Sequence, residues 1–379
     1  MEWVMDMKNG SYRPTWAEID LKAISYNLDR IRELLSGDVG IMAVVKANAY
    51  GHGICRVSKV LVENGITYLG VATVDEALKL RASGIKVPIL AMGSVLKDEA
   101  EAAVKRGITL TLADERLLKD LMAIAKKLKR RPKVHIKIDT GMGRIGIWHE
   151  EALEFIKKVS GKKAIELEGI YTHFSSAGRD KSFTRSQINH FEKIIEKLEK
   201  EDIRVKHKHA ANSIAVVDWK GSHLNLVRPG ILIYGIYPKE SFRMKFKLKP
   251  VMNLKTRIVY LKDTPAGRSI SYGRTHITRK DTKIATIPIG YADGYGRILS
   301  NKAEALVKGK HVKVVGVVTM DQALLDVGHV KDVKIGDEVV LIGRQGKSYV
   351  PVEKVARLAG TIPYEIVSSI TDRVPRIYK

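Results

Sequence analysis

The residue best placed for covalent chemistry is a lysine. Lys46 ends the apolar run Ile41-Met42-Ala43-Val44-Val45 and opens a glycine-flanked loop, Ala47-Asn48-Ala49-Tyr50-Gly51-His52-Gly53. The run has the length of one buried strand. Withdrawal from water disfavours an ammonium and lowers a lysine's pKa. An amine that is neutral part of the time can attack a carbonyl, which suits a Schiff base with an aldehyde cofactor such as pyridoxal phosphate. A lysine that merely ends a strand and extends its ammonium to solvent is the other reading of the same residue. Further chemistry-bearing residues recur in equivalent places, each closing a short apolar run: Asp139-Thr140-Gly141, His173, His209-Ala210-Ala211-Asn212 and Arg228-Pro229-Gly230.

The elements that would position them pulse regularly. Strands are expected at 41–45, 68–72, 88–92, 108–112, 134–139, 167–173, 206–210 and 224–227. Helical patterns lie between them at 75–83, 97–106, 114–130, 150–159 and 181–200, with Asp75 and Asp114 as N-caps. Eight strand–helix pulses without hairpins predict an α/β fold with a parallel (β/α)8 TIM-type barrel, spanning 15–248. A doubly wound sheet is the rival, but no G-x-G-x-x-G follows the first strand. In a barrel, chemistry belongs at the C-terminal ends of the strands, where all the residues named above fall.

From about residue 249 the texture changes. Strands are expected at 251–261, 283–287, 310–318, 323–327 and 338–342, punctuated by turns such as Ala292-Asp293-Gly294 and Ile335-Gly336-Asp337. One helix is expected, at 352–358, so 249–379 reads as a C-terminal, mostly-β domain. The N-terminal segment 1–20 offers it an extra strand through Thr15-Trp16-Ala17-Glu18-Ile19-Asp20.

Composition restricts the function class. A chain of 379 residues is too long for one compact core, and 45% hydrophobic with 28% charged residues is ordinary globular usage. The single cysteine, Cys55, excludes an internal disulfide, no metal-ligand spacing is present, and a reducing cytoplasm fits. The first ten residues carry no apolar signal core, and no apolar stretch spans a bilayer. The net charge of +24 raises nucleic acid as a partner, but the lysines and arginines are spread over helical faces without any nucleic-acid-binding signature.

The loop from Ala43 to Gly53 resembles the cofactor-lysine motif of alanine racemases. Tyr171-Thr172-His173-Phe174, Val227-Arg228-Pro229-Gly230-Ile231, Ser271-Tyr272-Gly273, Ile289-Gly290-Tyr291-Ala292-Asp293-Gly294-Tyr295, Met320-Asp321-Gln322 and Ile362-Pro363-Tyr364-Glu365 resemble the family's later motifs, in the same order. The resemblance implies a fold-type III enzyme dependent on pyridoxal 5'-phosphate. It also implies a homodimer in which each active site borrows residues from the partner's β domain.

Roles follow by the same resemblance. Lys46 would hold the cofactor as an imine and, once freed, take the substrate's Cα proton on one face. Tyr272 would serve the opposite face; as a residue alone, it reads rather as a cross-strand aromatic, and the flanking Ser271 and Gly273 of the family pattern turn the reading to a base. Tyrosine is a poor base unless its pKa falls from about 10. Arg228 would face the pyridine nitrogen. Because an arginine cannot give up its proton, the ring nitrogen would stay unprotonated and wrong-carbon reprotonation would be limited; the residue by itself also reads as a rim ion pair. The amides of Gly230 and Ile231, the hydroxyl of Ser213 and the phenols of Tyr50 and Tyr364 would take the phosphate, although Ala211-Asn212-Ser213 also reads as a helix-opening turn. His173 would lie against the pyridine face or be a satisfied structural histidine. Arg144 would reach the cofactor's phenolic oxygen and the substrate carboxylate, Lys137 stands where many members carry a carbamylated lysine, and Met320, Asp321 and Tyr291 would bound the substrate from the partner chain.

The chain departs from the usual pattern at Val317 and Thr319, in place of an arginine and a cysteine, and at Gly178, where an aspartate is frequent; Arg297 is retained. These changes bear on access to the site. The expected activity is interconversion of L- and D-alanine, supplying D-alanine for peptidoglycan. A broad-specificity or serine-type racemase is the alternative, and a non-enzymatic cofactor carrier or nucleic-acid binder is the remote one.

Overall fold

A computed structural model describes residues 12–379. By internal contact the chain divides into two units. Residues through Ala23, Tyr50–Gly53 and Lys249–Lys379 form one; Ile24–Ala49 and Ile54–Leu248 form the other. Residues 1–11, with the charged N-terminus and the first part of the 1–20 segment, lie outside the described residues.

The second unit is the α/β barrel. Its eight parallel strands are Gly40–Val44, Tyr68–Val71, Ile89–Ala91, Thr109–Leu112, Lys133–Asp139, Glu166–Tyr171, His207–His209 and Leu226–Val227. The second, third and fourth are buried throughout and the others for most of their length, as strands covered on both faces must be. Successive strands pair in order, and the eighth returns to the first through Leu226↔Gly40 and Val227↔Ile41. One joint is weak. The seventh and eighth strands are linked by a single parallel bridge, Asn212↔Arg228. Asn225 supplements it, accepting from the Lys208 N–H and donating to the Lys206 carbonyl, both at 2.8 Å.

Helices are started by local chemistry. Asp114 accepts the Leu117 N–H at 2.7 Å, and Asp180 accepts that of Phe183 at 2.9 Å. Asp75 is not a cap. Thr73 caps the helix Val74–Ala82 and forms a capping box with Glu76, leaving Asp75 in the first turn, where a carboxylate still favours the helix dipole.

The first unit is built on a ten-stranded sheet. Thr15–Ile19 lies in it between Met252–Arg257, antiparallel, and Arg376–Tyr378, parallel. The expected strand 251–261 is two strands, Met252–Arg257 and Tyr260–Thr264, because the chain changes partner between them: Ile258 N–H donates to Asp337, and Val259 N–H donates to Thr286. The expected strand 310–318 stops at Val314, ahead of Gly316 at φ 73°. A second helix, Pro363–Ser368, follows Val352–Leu358; its proline opens the first turn, where the missing N–H costs nothing. Among the described residues, no helix is long and apolar enough to cross a membrane.

Candidate active site

Lys46 stands two residues beyond the end of the first barrel strand, and the backbone after it turns the wrong way. Ala47, Asn48, Ala49 and Tyr50 have φ of 53°, 54°, 54° and 51°. A left-handed turn of L-residues costs roughly 1–2 kcal/mol per residue. Small side chains reduce crowding, and three contacts hold the turn. Glu76 Oε1 accepts the Ala47 N–H at 2.6 Å, Asn48 Oδ1 accepts the Ile54 N–H at 2.9 Å, and the Ala49 N–H donates to the Val45 carbonyl at 2.8 Å. The second Glu76 oxygen accepts the Ala72 N–H at 2.8 Å, so one carboxylate joins the ends of the first two barrel strands. Burial lowers the Lys46 pKa, the nearby Arg144 charge lowers it further, and Glu76 opposes both.

Lys137 lies within the fifth strand, almost fully buried, its ammonium 5.5 Å from the Tyr171 ring centre. Burial, then the charges of Arg144 and Arg228, bring its pKa down to about 8. The one carboxylate beside it, Asp139, is already saturated. Its Oδ1 accepts from the N–H groups of Gly141 and Met142, and its Oδ2 accepts from those of Gly143 and Arg144, at 2.7–3.2 Å. Burial alone would raise the Asp139 pKa, but these four donors hold it below the ordinary value. Asp139 thus fixes the loop that carries the exposed Arg144 side chain.

Arg228 follows the eighth strand and is buried. Its guanidinium donates to the carbonyls of Thr172 at 2.7 Å and Ala210 at 3.0 Å, and to His209 Nδ1 at 2.8 Å, with His173 Nδ1 at 3.4 Å. Burial lowers its pKa to about 10, which still leaves it charged near neutrality. Burial and the charges of Arg228, Lys137, Arg144 and Lys46 hold His173 well below its usual pKa, so it is neutral. Asn212 caps the short helix Ser213–Asp218, and the Ser213 hydroxyl accepts the Gly230 N–H at 2.8 Å, tying two expected phosphate-binding residues together; Ile231 follows, fully buried.

Positive charge predominates. Lys46, Lys137, Arg144 and Arg228 bring it to the strand ends, and the two carboxylates near them, Glu76 beside Lys46 and Asp139 beside Lys137, both accept from backbone N–H groups. A doubly charged phosphate with a phenolic oxygen fits such a set, so the residues present suit pyridoxal 5'-phosphate. Among the described residues, no group of three or more His, Cys, Asp or Glu could hold a metal ion.

In the β unit, the Tyr50 and Tyr364 rings lie with centres 6.0 Å apart, tilted by 52°, and burial pushes the Tyr364 phenol up to about 12, keeping it a proton donor. Tyr272 is 72% exposed on a strained turn, where Ser271 has φ 61° and its hydroxyl donates to the Val317 carbonyl at 2.7 Å. The Tyr291 N–H donates to the Thr319 carbonyl at 3.1 Å, and the Ala292 N–H donates to that of Met320 at 3.0 Å. Arg373 holds Asp321 at 2.6 Å. The Tyr291 and Met320 side chains are also exposed, so the β unit presents three apolar side chains on turns that its own hydrogen bonds join.

Sequence reasoning assigned no role to Glu76, His135 or Glu168. A carboxylate inside an apolar strand pattern, as at Glu168, was the available signal.

Two family models match the chain: alanine racemase N-terminal domain over residues 19–238, and alanine racemase C-terminal domain over residues 251–378. An alanine racemase of Halothermothrix orenii is 48% identical over 368 residues, 97% of each chain. The alanine racemase structure from Clostridium difficile 630 superposes with a TM-score of 0.92 at 40% identity, covering 97% of this chain and 96% of that one. That from Bacillus anthracis, with bound L-Ala-P, gives 0.91 at 41% identity, covering 97% and 96%. With two family models and near-complete coverage in agreement, the chain belongs to the alanine racemase family of pyridoxal 5'-phosphate enzymes.

Proposed function

We propose that this chain interconverts L- and D-alanine by a two-base mechanism, with Lys46 on one face of the substrate and the partner subunit's Tyr272 on the other. Pyridoxal 5'-phosphate, when bound, supplies the electron-withdrawing ring that acidifies the Cα proton. The observation that carries the reading is Lys46 itself, an amine with a depressed pKa among other cations, at the head of a left-handed turn held by hydrogen bonds. A neutral amine there would hold the cofactor through its aldehyde, with loss of water, and, once displaced by the substrate's own amine, would be free to accept a proton at Nζ. Arg228 would bind and orient the cofactor as a fixed donor toward its pyridine nitrogen. Ser213, Gly230, Ile231, Tyr50 and Tyr364 would hold the phosphate. Arg144 orients the substrate carboxylate, and a carbamylated Lys137 would hold Arg144.

Tyr272, Tyr291 and Met320 are exposed apolar side chains on constrained turns, which supports burying them against a second copy of the chain. The homodimer would thereby complete each site, with Met320 and Asp321 bounding the substrate. The lone Cys55 suits a cytoplasmic enzyme, and D-alanine would feed cell-wall precursors. A broader amino-acid racemase is the second reading, favoured by Val317 and Thr319: the Thr319 hydroxyl donates to the Gln322 carbonyl at 2.9 Å and so is engaged within its own turn.

The test is the visible absorbance of the purified protein, before and after borohydride, followed by mapping of the reduced lysine. A yellow protein, modified at Lys46 and inactive as Lys46→Ala, is expected. A colourless protein that gains no racemase activity with added cofactor overturns the reading. Assays over a panel of amino acids, with alanine leading in kcat/KM, separate the narrow reading from the broad one.

A further inference from the structure

A chain of buried polar groups runs down the barrel interior from Arg228. Its Nη1 meets His209 Nδ1 at 2.8 Å, His209 Nε2 meets His135 Nδ1 at 2.8 Å, and His135 Nε2 faces Glu168 Oε2 at 3.7 Å. All four side chains are at most 5% exposed. The last link is an electrostatic approach, longer than a hydrogen bond. No closer acceptor serves the buried His135 Nε2 among the described residues.

Only one arrangement of protons satisfies this chain. Arginine has donors and no acceptor, so His209 must present a lone pair at Nδ1. A neutral His209 then carries its proton on Nε2 and donates to His135 Nδ1. His135 in turn carries its proton on Nε2, aimed at Glu168. Protonating His209 would set N–H against N–H at Arg228. Protonating His135 would do the same at His209, or force the His209 proton back onto the side facing Arg228. Burial, the first cause in each case, lowers the pKa of both histidines and agrees with the neutral forms. Tyr171 stacks on His209 with ring centres 4.8 Å apart and planes within 3°, and Tyr68 tilts against His135 at 5.5 Å, so neither ring is loose.

Glu168 is built to stay ionised. Burial alone would raise its pKa, but His135 and the Tyr68 hydroxyl hold it down, and Lys133 Nζ lies 3.4 Å from its Oε1. Thr109 adds a donor to Oε2 at 3.3 Å. Arg228, by contrast, makes no salt bridge of its own among the described residues.

We propose that Glu168 is a positioning residue for Arg228: its carboxylate fixes the tautomers of His135 and His209, and thereby keeps a lone pair directed at the guanidinium. The tautomer pattern stands on the barrel geometry alone. Its consequence for the cofactor rests on the proposed placement of Arg228 at the pyridine nitrogen.

The test is nitrogen-15 NMR of histidine-labelled holoenzyme, with resonances assigned through His135→Asn and His209→Asn. Wild-type protein is expected to show both rings neutral with the proton on Nε2; an imidazolium or an Nδ1-protonated ring at either position overturns the proposal. Glu168→Gln keeps the side chain's shape and removes its charge, and its amide can donate to His135 Nε2. A second tautomer should then appear at His135, with a shifted visible absorbance and kcat lower by about tenfold at nearly unchanged KM. Tautomers that do not respond overturn the relay. Tautomers that respond without any change in absorbance leave the relay standing and overturn the placement of Arg228.

Discussion

Glu76 Oε1 accepts the Ala47 N–H at 2.6 Å, clamping the first peptide of the left-handed turn beyond Lys46. The other Glu76 oxygen accepts the Ala72 N–H, so the clamp spans two strand ends. Glu76→Ala would leave the strained turn without this tie. Loss of a charged acceptor of this kind is expected to destabilise by about 1–3 kcal/mol. Urea denaturation should detect it. Cofactor reloading should slow in the same variant, because the Lys46 amine is no longer held in place. A variant with unchanged stability and reloading would mean that the turn holds itself.

Tyr272→Phe removes the phenolic proton and little else. Overall racemisation should fall by about 10²–10⁴-fold. Equilibrium requires both directions to fall together, so net rates cannot identify the lost base. Solvent deuterium can: exchange at Cα should persist for one enantiomer, the one whose proton faces Lys46, and vanish for the other. Exchange persisting equally in both would remove Tyr272 from the mechanism.

Lys137, brought down to about 8 from its ordinary value, carries a growing neutral fraction as pH rises through that point. Only the neutral amine combines with carbon dioxide, releasing a proton as the carbamate forms. The sign is therefore set: at constant dissolved carbon dioxide, carbamate should increase from pH 7 to 9. A carbon-13 carbamate resonance from labelled bicarbonate, absent in Lys137→Ala, would record it. A signal that is flat or falling across this range would contradict the lowered pKa.

Gly169 makes room for His135. A Cβ on Gly169 would lie 2.7 Å from His135 Nδ1 and Cε1. Overpacking of this kind costs about 1–3 kcal/mol. Gly169→Ala should lower the thermal midpoint and, by displacing His135, alter the His209 nitrogen shifts. Calorimetry and the same NMR spectra test both effects.

The barrel was legible because its strands are short apolar runs between amphipathic helices, and the ends of those runs were already marked by Lys46, Asp139, His173, His209 and Arg228. What escaped depends on relations the one-dimensional pattern does not contain. Ala47-Asn48-Ala49-Tyr50 has no glycine to announce positive φ, and its conformation is held by Glu76, twenty-nine residues from Ala47. His135 and Glu168 meet only because the fifth and sixth strands pair in a particular register, irregular at Val134/His135. In the β unit, 251–261 read as one strand because its composition is continuous, while the hydrogen-bond partners of Ile258 and Val259 change. The Asp75 cap failed by two residues because Thr73 and Glu76 together satisfy more donors than an aspartate alone.

The joint between the seventh and eighth strands gives the barrel wall an uneven stiffness. Seven of its eight seams are laced by main-chain ladders; this one has a solitary main-chain bridge, backed by side chains: the amide of Asn225, the guanidinium of Arg228 and the hydroxyl of Ser213. Side-chain bonds there carry what a ladder carries elsewhere, at the very strand ends expected to grip the phosphate. Removing one of those side chains would loosen that wall alone and leave the Lys46 side laced as before.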